Sequence, residues 1–193
     1  MRYALISDIH ANLPALEAVF GHIERVSATS GRGRSSNADT KRFLGALPFR
    51  IDLRPLGGHL SGRRIVLVHG TPTLNTTYWT EDRPDSFCLQ MAEQAGLKPG
   101  DLIGFGHTHV PWHREIEGIH FLNTGSVGRP KDGDWRAGYV IIDVDERGVG
   151  IQMVRVEYDV ARAAAAIRES SLPDEFAAYL ENGGKPSTAE VEG

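Results

Sequence analysis

The stretch "DLIGFGHTH", residues 101–109, decides the fold. Its apolar run, Leu102 to Phe105, is too short and unbroken for an amphipathic helix and reads as a strand buried within a sheet. The run stops on Gly106 and delivers His107 and His109 at its end. Two other apolar runs stop in the same way. "YALIS" (3–7) leads into Asp8 and His10, and "IVLV" (65–68) leads into His69, after which Gly70 and Pro72 turn the chain. Side chains two apart on an extended segment share a face, so Asp8 and His10 are expected to point at one centre. Three strand ends thus bring one carboxylate and four imidazoles, a donor set suited to borderline divalent metals. A hydrogen-bonded histidine cluster at a sheet edge is the competing reading. His22, His59, His113 and His120 sit in no such repeat and read as ordinary surface or core residues.

Working outward, "LPALEAVFGHIERV" (13–26) has helical spacing through Leu13, Leu16, Val19, Phe20 and Ile23, with Asn12 as cap and Pro14 in the first turn. "SATSGRGRSSNADT" (27–40) has no apolar periodicity and reads as a mobile loop. A short helix, "TKRFLGAL" (40–47), and strands "FRIDL" (49–53) and "RRIVLVHG" (63–70) follow, the strands joined by a turn around Gly57, Gly58 and Gly62. "DSFCLQMAEQAG" (85–96) is a helix that stops at Gly96. Beyond the histidine pair, "PWHREIEGIHFLN" (111–123) has a Glu117-Gly118 hairpin signal, and "AGYVIIDVDERGVGIQMVRVEY" (137–158) gives two strands around Arg147-Gly148. Helices "DVARAAAAIRES" (159–170) and "PDEFAAYLEN" (173–182) close the fold. The expected architecture is a mixed α/β domain over residues 1–182, with two stacked sheets and helices outside them. Residues 183–193 are expected to form a disordered tail.

Composition narrows the function classes. With 193 residues, 40% of them hydrophobic, the chain can bury a real core. A net charge of -4 argues against nucleic acid or anionic membrane as the main partner. The single Cys88 excludes an internal disulfide framework, which makes a reducing, cytoplasmic setting the default. No apolar run approaches the roughly 20 residues of a membrane span. The N-terminus turns polar by residue 7, unlike a signal peptide. A homodimer is the default oligomer.

"SDIHANLPAL", "LVHGTP", "GFGHTH" and "NTGSVGRPKDGDWRAGYVIID", in this order, closely resemble the calcineurin-like metallophosphoesterases, in particular their small bacterial and archaeal phosphodiesterase-like branch. The resemblance covers residues 1 to about 25 and 40 to about 180. It implies a two-layer β sandwich flanked by helices, the α/β/β/α metallophosphoesterase fold. It also implies two divalent ions (manganese, iron, zinc or nickel) that polarise a small phosphate-ester substrate and activate water for hydrolysis. On this resemblance Asp8, His10 and His109 look like ligands of the first ion, and His69 and His107 like ligands of the second. Asn123 and Ser126, in "NTGSVG", would shape the site rather than bind metal.

One departure outweighs the matches. The family has a Gly-Asp motif, whose aspartate bridges the ions, and a Gly-Asn-His-Asp/Glu motif, whose Asn binds the second ion and whose His assists the leaving group. Neither occurs in the 58 residues between His10 and His69. Two doubly charged ions about 3.8 Å apart repel by roughly 17 kcal/mol at an effective dielectric of about 20, and Asp8 alone offsets little of that. The sequence therefore supports one metal more readily than two. Three accounts fit: a segment carrying both motifs is missing between residues 26 and 39; the chain is a shortened relative with a degraded site; or Asp39, Asp52 or Glu24 supplies replacement ligands.

Three further features are weighed against plainer roles. Arg32 and Arg34 suit a solvated loop better than a phosphate contact. Arg129 and Lys131, next to the "GSVG" loop, are better placed to attract an anion. Tyr78 and Trp79 either wall the pocket or pack on the next helix. Two functions remain open: metal-dependent phosphodiester hydrolysis, and a catalytically impaired scaffold of the same fold that binds protein.

Overall fold

The computed structural model describes residues 1–27, 46, 48–54 and 62–185. Two sheets stack face to face. One has three strands in the order β1 (Arg2–Leu5), β7 (Ala137–Asp145) and β8 (Gly148–Val156). The other has five in the order β2 (Arg50–Leu53), β3 (Ile65–Val68), β4 (Leu102–Phe105), β6 (Ile119–Asn123) and β5 (Trp112–Ile116). Strands β3, β4 and β6 run parallel, and α2 (Asp85–Ala95) forms the crossover between β3 and β4. Helix α1 (Leu13–Ser27) and the C-terminal pair α3 (Val160–Arg168) and α4 (Glu175–Glu181) complete the described elements.

Strand alternation builds the layers. Along β7, Val140, Ile142 and Val144 meet Leu5, Ile65, Leu102 and Leu122 between the sheets. The intervening Tyr139 and Ile141 face outward and pack with Ala15 and Val19 of α1. In the other sheet Val66, Ile103, Phe105 and Phe121 face outward onto Cys88, Met91 and Ala92 of α2. The result is the helix, sheet, sheet, helix sandwich expected from the sequence.

Local signals act as expected. Asn12 caps α1, its Oδ1 accepting from the Ala15 N–H at 3.2 Å. Glu117 and Gly118 both adopt positive φ, 51° and 74°, the backbone of a two-residue hairpin turn. Trp79 is buried and stacks on Phe105 with ring centroids 4.1 Å apart. Apart from Ala46, an exposed turn residue, the expected helix at 40–47 lies outside the described residues, as do Arg32, Arg34, Asp39, His59 and the possible gap beyond Ser27. Of the expected tail, Gly183 is buried and its carbonyl accepts from the Gly133 N–H at 2.9 Å, whereas residues 186–193 lie outside the description. Among the described residues, no helix is long and apolar enough to cross a membrane.

Candidate metal centre

The C-terminal ends of β1, β3 and β4 converge, and the residues just past them form the site. One sequence expectation is corrected here. Asp8 and His10 are not on an extended strand: β1 ends at Leu5, and Asp8, His10 and Ala11 have φ of 51°, 49° and 55°. His107 and His109 adopt the same left-handed backbone, at 66° and 63°. Four of the five candidate ligands thus stand on turns that disfavour L-residues, at a cost of order 1–3 kcal/mol each, the kind of strain that collects at functional sites.

The five side chains form two linked groups rather than one. Asp8, His10 and His109 each present a ligand atom within 4.8 Å of the other two. His10 Nε2 lies 3.0 Å from His109 Nε2, which in turn lies 3.3 Å from Asp8 Oδ1. His69 and His107 form the second group, with Nε2 and Nδ1 3.1 Å apart. Asp8 connects the groups, because His69 Nδ1 is 3.9 Å from its Oδ1. Among the described residues no third ligand joins the His69–His107 pair. Of the substitute carboxylates, Asp52 is held by Arg50 and Arg64 at 2.6 and 2.5 Å on strand β2, and Glu24 is exposed on α1; neither joins the triad.

A shell of hydrogen bonds fixes the triad. The Asp8 carboxylate is nearly sealed from solvent, and its Oδ2 accepts from the His107 backbone N–H at 3.1 Å. Burial would raise its pKa, but the bonds from His109, Ser7 and that N–H outweigh burial and bring it down to about 2. Burial, with help from His109, lowers His10 to about 4; Arg129 and Lys131 also act against its protonation. His107 is lowered as well, by burial and then by His69. These ligands therefore stand at neutral pH as a carboxylate and uncharged imidazoles, the forms that bind metal.

The geometry of His109 tests whether a cation fits. Its Nδ1 donates to the Arg129 carbonyl at 2.7 Å, so in the neutral ring Nε2 carries the lone pair. That nitrogen lies beside the Asp8 carboxylate and the ring nitrogen of His10, so the three groups converge on one point where a divalent ion would be shared among them. The donor set of one carboxylate and two imidazoles suits such an ion.

Asn123 and Ser126 shape the site, as their place in the sequence suggested. Buried Asn123 donates to the Gly106 carbonyl and the Thr108 hydroxyl, both at 2.9 Å, and holds the turn that carries the two histidines. Ser126 Oγ donates to the Asp8 carbonyl at 2.7 Å and accepts from the Arg129 N–H at 2.8 Å. Sequence reasoning missed Ser7, whose hydroxyl bonds with Thr124 Oγ1 at 2.7 Å and ties the Asp8 turn to the same loop. Its signal was adjacency to Asp8. Tyr78 and Trp79 divide the roles proposed for them: Tyr78 lies against His107, with ring centroids 4.7 Å apart, while Trp79 packs into the core and onto Phe87 of α2. The remaining described histidines are bonded away from the site, His22 to the Tyr139 hydroxyl at 2.9 Å and His113 to His120 at 3.1 Å.

Candidate metal ligands just past the strand ends of a helix-flanked double sheet are the arrangement of a metallophosphoesterase-type protein. Residues 36–147 match the family model described as the calcineurin-like phosphoesterase superfamily domain, and the chain belongs to this superfamily. It is similar to an uncharacterized protein of Methanocaldococcus jannaschii, with 31% identity over 148 residues that cover 69% of this chain and 55% of the relative. The chain therefore spans about half the length of that curated relative. Among solved structures it is similar to a metallophosphoesterase from Sphaerobacter thermophilus, with 26% identity and a TM-score of 0.67 over 95% of this chain and 100% of that one. A hypothetical protein from Pyrococcus horikoshii shares the fold, with 18% identity and a TM-score of 0.62 over 78% and 56% of the two chains.

Proposed function

We propose that this chain, a single domain over residues 1–182, is a catalytically impaired metallophosphoesterase that holds one divalent ion through Asp8, His10 and His109. The observation that carries the proposal is the split of the five ligands into a triad containing the only site carboxylate among the described residues and an incomplete His69–His107 pair. An ion at the triad would polarise a phosphoryl oxygen and make a water more acidic. The protein's own contribution is placement. Asp8 and His109 are buried and tethered, the more exposed His10 faces the approaching ligand, and Arg129 and Lys131 supply positive charge beside it. The Gly-Asn-His-Asp/Glu motif whose histidine assists the leaving group does not occur in the sequence between His10 and His69, so turnover is expected only with esters whose leaving group needs no proton.

Metal analysis of the purified chain, paired with hydrolysis of bis(p-nitrophenyl) phosphate and of an unactivated dialkyl phosphate, tests this reading. The expected result is one ion and slow, metal-dependent cleavage of the activated diester alone; equal turnover of both diesters refutes it. A protein-binding scaffold is the second reading. It is favoured by the same shortage of carboxylates and by the exposed Leu13 and Leu172, and it predicts no metal-dependent turnover of either ester.

A further inference from the structure

A cleft of about 640 Å³ opens beside the triad, within the usual range for small-molecule sites. His10 belongs to both, with its ring nitrogen in the triad and its side chain in the cleft wall. From there the wall runs along Leu13 and Pro14 of α1, Ala166 and Ile167 of α3, and Leu172 and Phe176 at the approach to and start of α4. Leu13 and Leu172 are 58% and 50% exposed, so the cleft leaves a contiguous apolar surface open to solvent.

The polar side chains of this wall are already engaged by the protein. Asn12 donates to the Gly128 carbonyl and the Tyr158 hydroxyl while its Oδ1 caps α1. Arg162 pairs with Glu17 at 3.0 Å. Ser170 Oγ donates to the Ile167 carbonyl and accepts from the Leu172 N–H. Recognition of an anion is left to one end, where His10 meets Arg129, whose guanidinium lies 4.7 Å above the Phe176 ring. A nucleobase or sugar along the rest of the wall would bury hydrogen-bonding groups without partners, which is costly. An aliphatic chain would not.

Resting on the phosphate-ester reading above, we propose that this cleft binds the aliphatic alcohol portion of an amphiphilic phosphate ester. The phosphate sits at the His10 and Arg129 end, and the chain runs past Leu13, Ile167 and Leu172. Methylenes that enter the cleft should each tighten binding about fourfold.

The test uses the full chain and inert n-alkylphosphonates from butyl to decyl, titrated calorimetrically with manganese present and again after chelation. The expected result is a dissociation constant that falls about threefold to fourfold per methylene until the cleft is full, with and without metal. Ala166 is exposed on the cleft wall, and Ala166→Trp, checked for unchanged thermal unfolding, should flatten the series, weakening decylphosphonate far more than butylphosphonate. A flat series in the unmodified protein overturns the proposal, and so does a gradient that survives Ala166→Trp. Failure of the metal reading looks different: no manganese uptake with an intact gradient removes the metal and supports the cleft assignment.

Discussion

Replacing Gly106 by alanine separates the triad from the fold that carries it. Gly106 does not use left-handed backbone, so alanine is conformationally allowed there. Its Cβ, however, would overlap Asp8 Oδ2 and come within 2.8 Å of Ser7 Oγ. The Asp8 carboxylate is 3% exposed and cannot swing away without breaking the 3.1 Å bond from the His107 N–H and turning from His109. A hydrogen bond to a charged group contributes about 1.5–3 kcal/mol, equivalent to about 10- to 150-fold in affinity. Isothermal titration with manganese or zinc should show metal binding weakened by about that factor in Gly106→Ala. Gly104→Ala is the control, since its Cβ meets the flexible ends of Leu67 and Leu5 and stays clear of the ligands. Native metal affinity in Gly106→Ala would show that the placement of Asp8 by this turn is irrelevant to the ion.

Metal analysis of His69→Ala should still find about one ion, whereas His10→Ala should lose it; loss in His69→Ala would mean that the two ligand groups act as one. Acid should weaken the metal-free fold before the carboxylates titrate. His10 is lowered to about 4, and His107, His113 and His120 are lowered too, by burial in each case. Rings with depressed pKa values are neutral in both states at high pH, and below the unfolded value of about 6.5 the unfolded chain takes up more protons. Stability therefore falls as pH drops from about 6.5 toward about 4, and a Tm that stays constant through calorimetric scans in this window contradicts the assignment. Trp79→Ala removes the buried ring stacked on Phe105 and should destabilise the protein by about 3–5 kcal/mol in denaturant titrations without changing metal stoichiometry.

The layers were legible because strand alternation and helical spacing are local. Val140, Ile142 and Val144 declare one face of β7 and Tyr139 and Ile141 the other, without knowledge of their partners. The ligand types were legible because Asp8, His10, His69, His107 and His109 repeat at the ends of apolar runs. Their division into Asp8, His10 and His109 on one side and His69 and His107 on the other followed the family resemblance, but the backbone that achieves it was not legible: left-handed turns at residues 8, 10, 107 and 109 aim the side chains, and those turns are held by the distant Ser126 and Asn123. The hydroxyl of Ser7 escaped notice for the same reason, since its partner Thr124 lies 117 residues away. Asp52 looked available in the sequence only because Arg64, its partner across the sheet, cannot be placed without the β2–β3 register.

The pairing of β1 with β7 sets the order in which the centre can be assembled. The chain's first residue bonds to Val144, 143 positions away, and His10 meets His109 across 99. Contacts with such separations form late, because the intervening loop must close before they reward it. The triad is therefore a clasp that exists only when the sandwich has shut. An ion held by it would draw the equilibrium toward the native state, by about 2.7 kcal/mol at a hundredfold excess over its Kd. Being absent from the earlier folding barrier, that stabilisation would lengthen the lifetime of the native protein and leave its rate of folding unchanged.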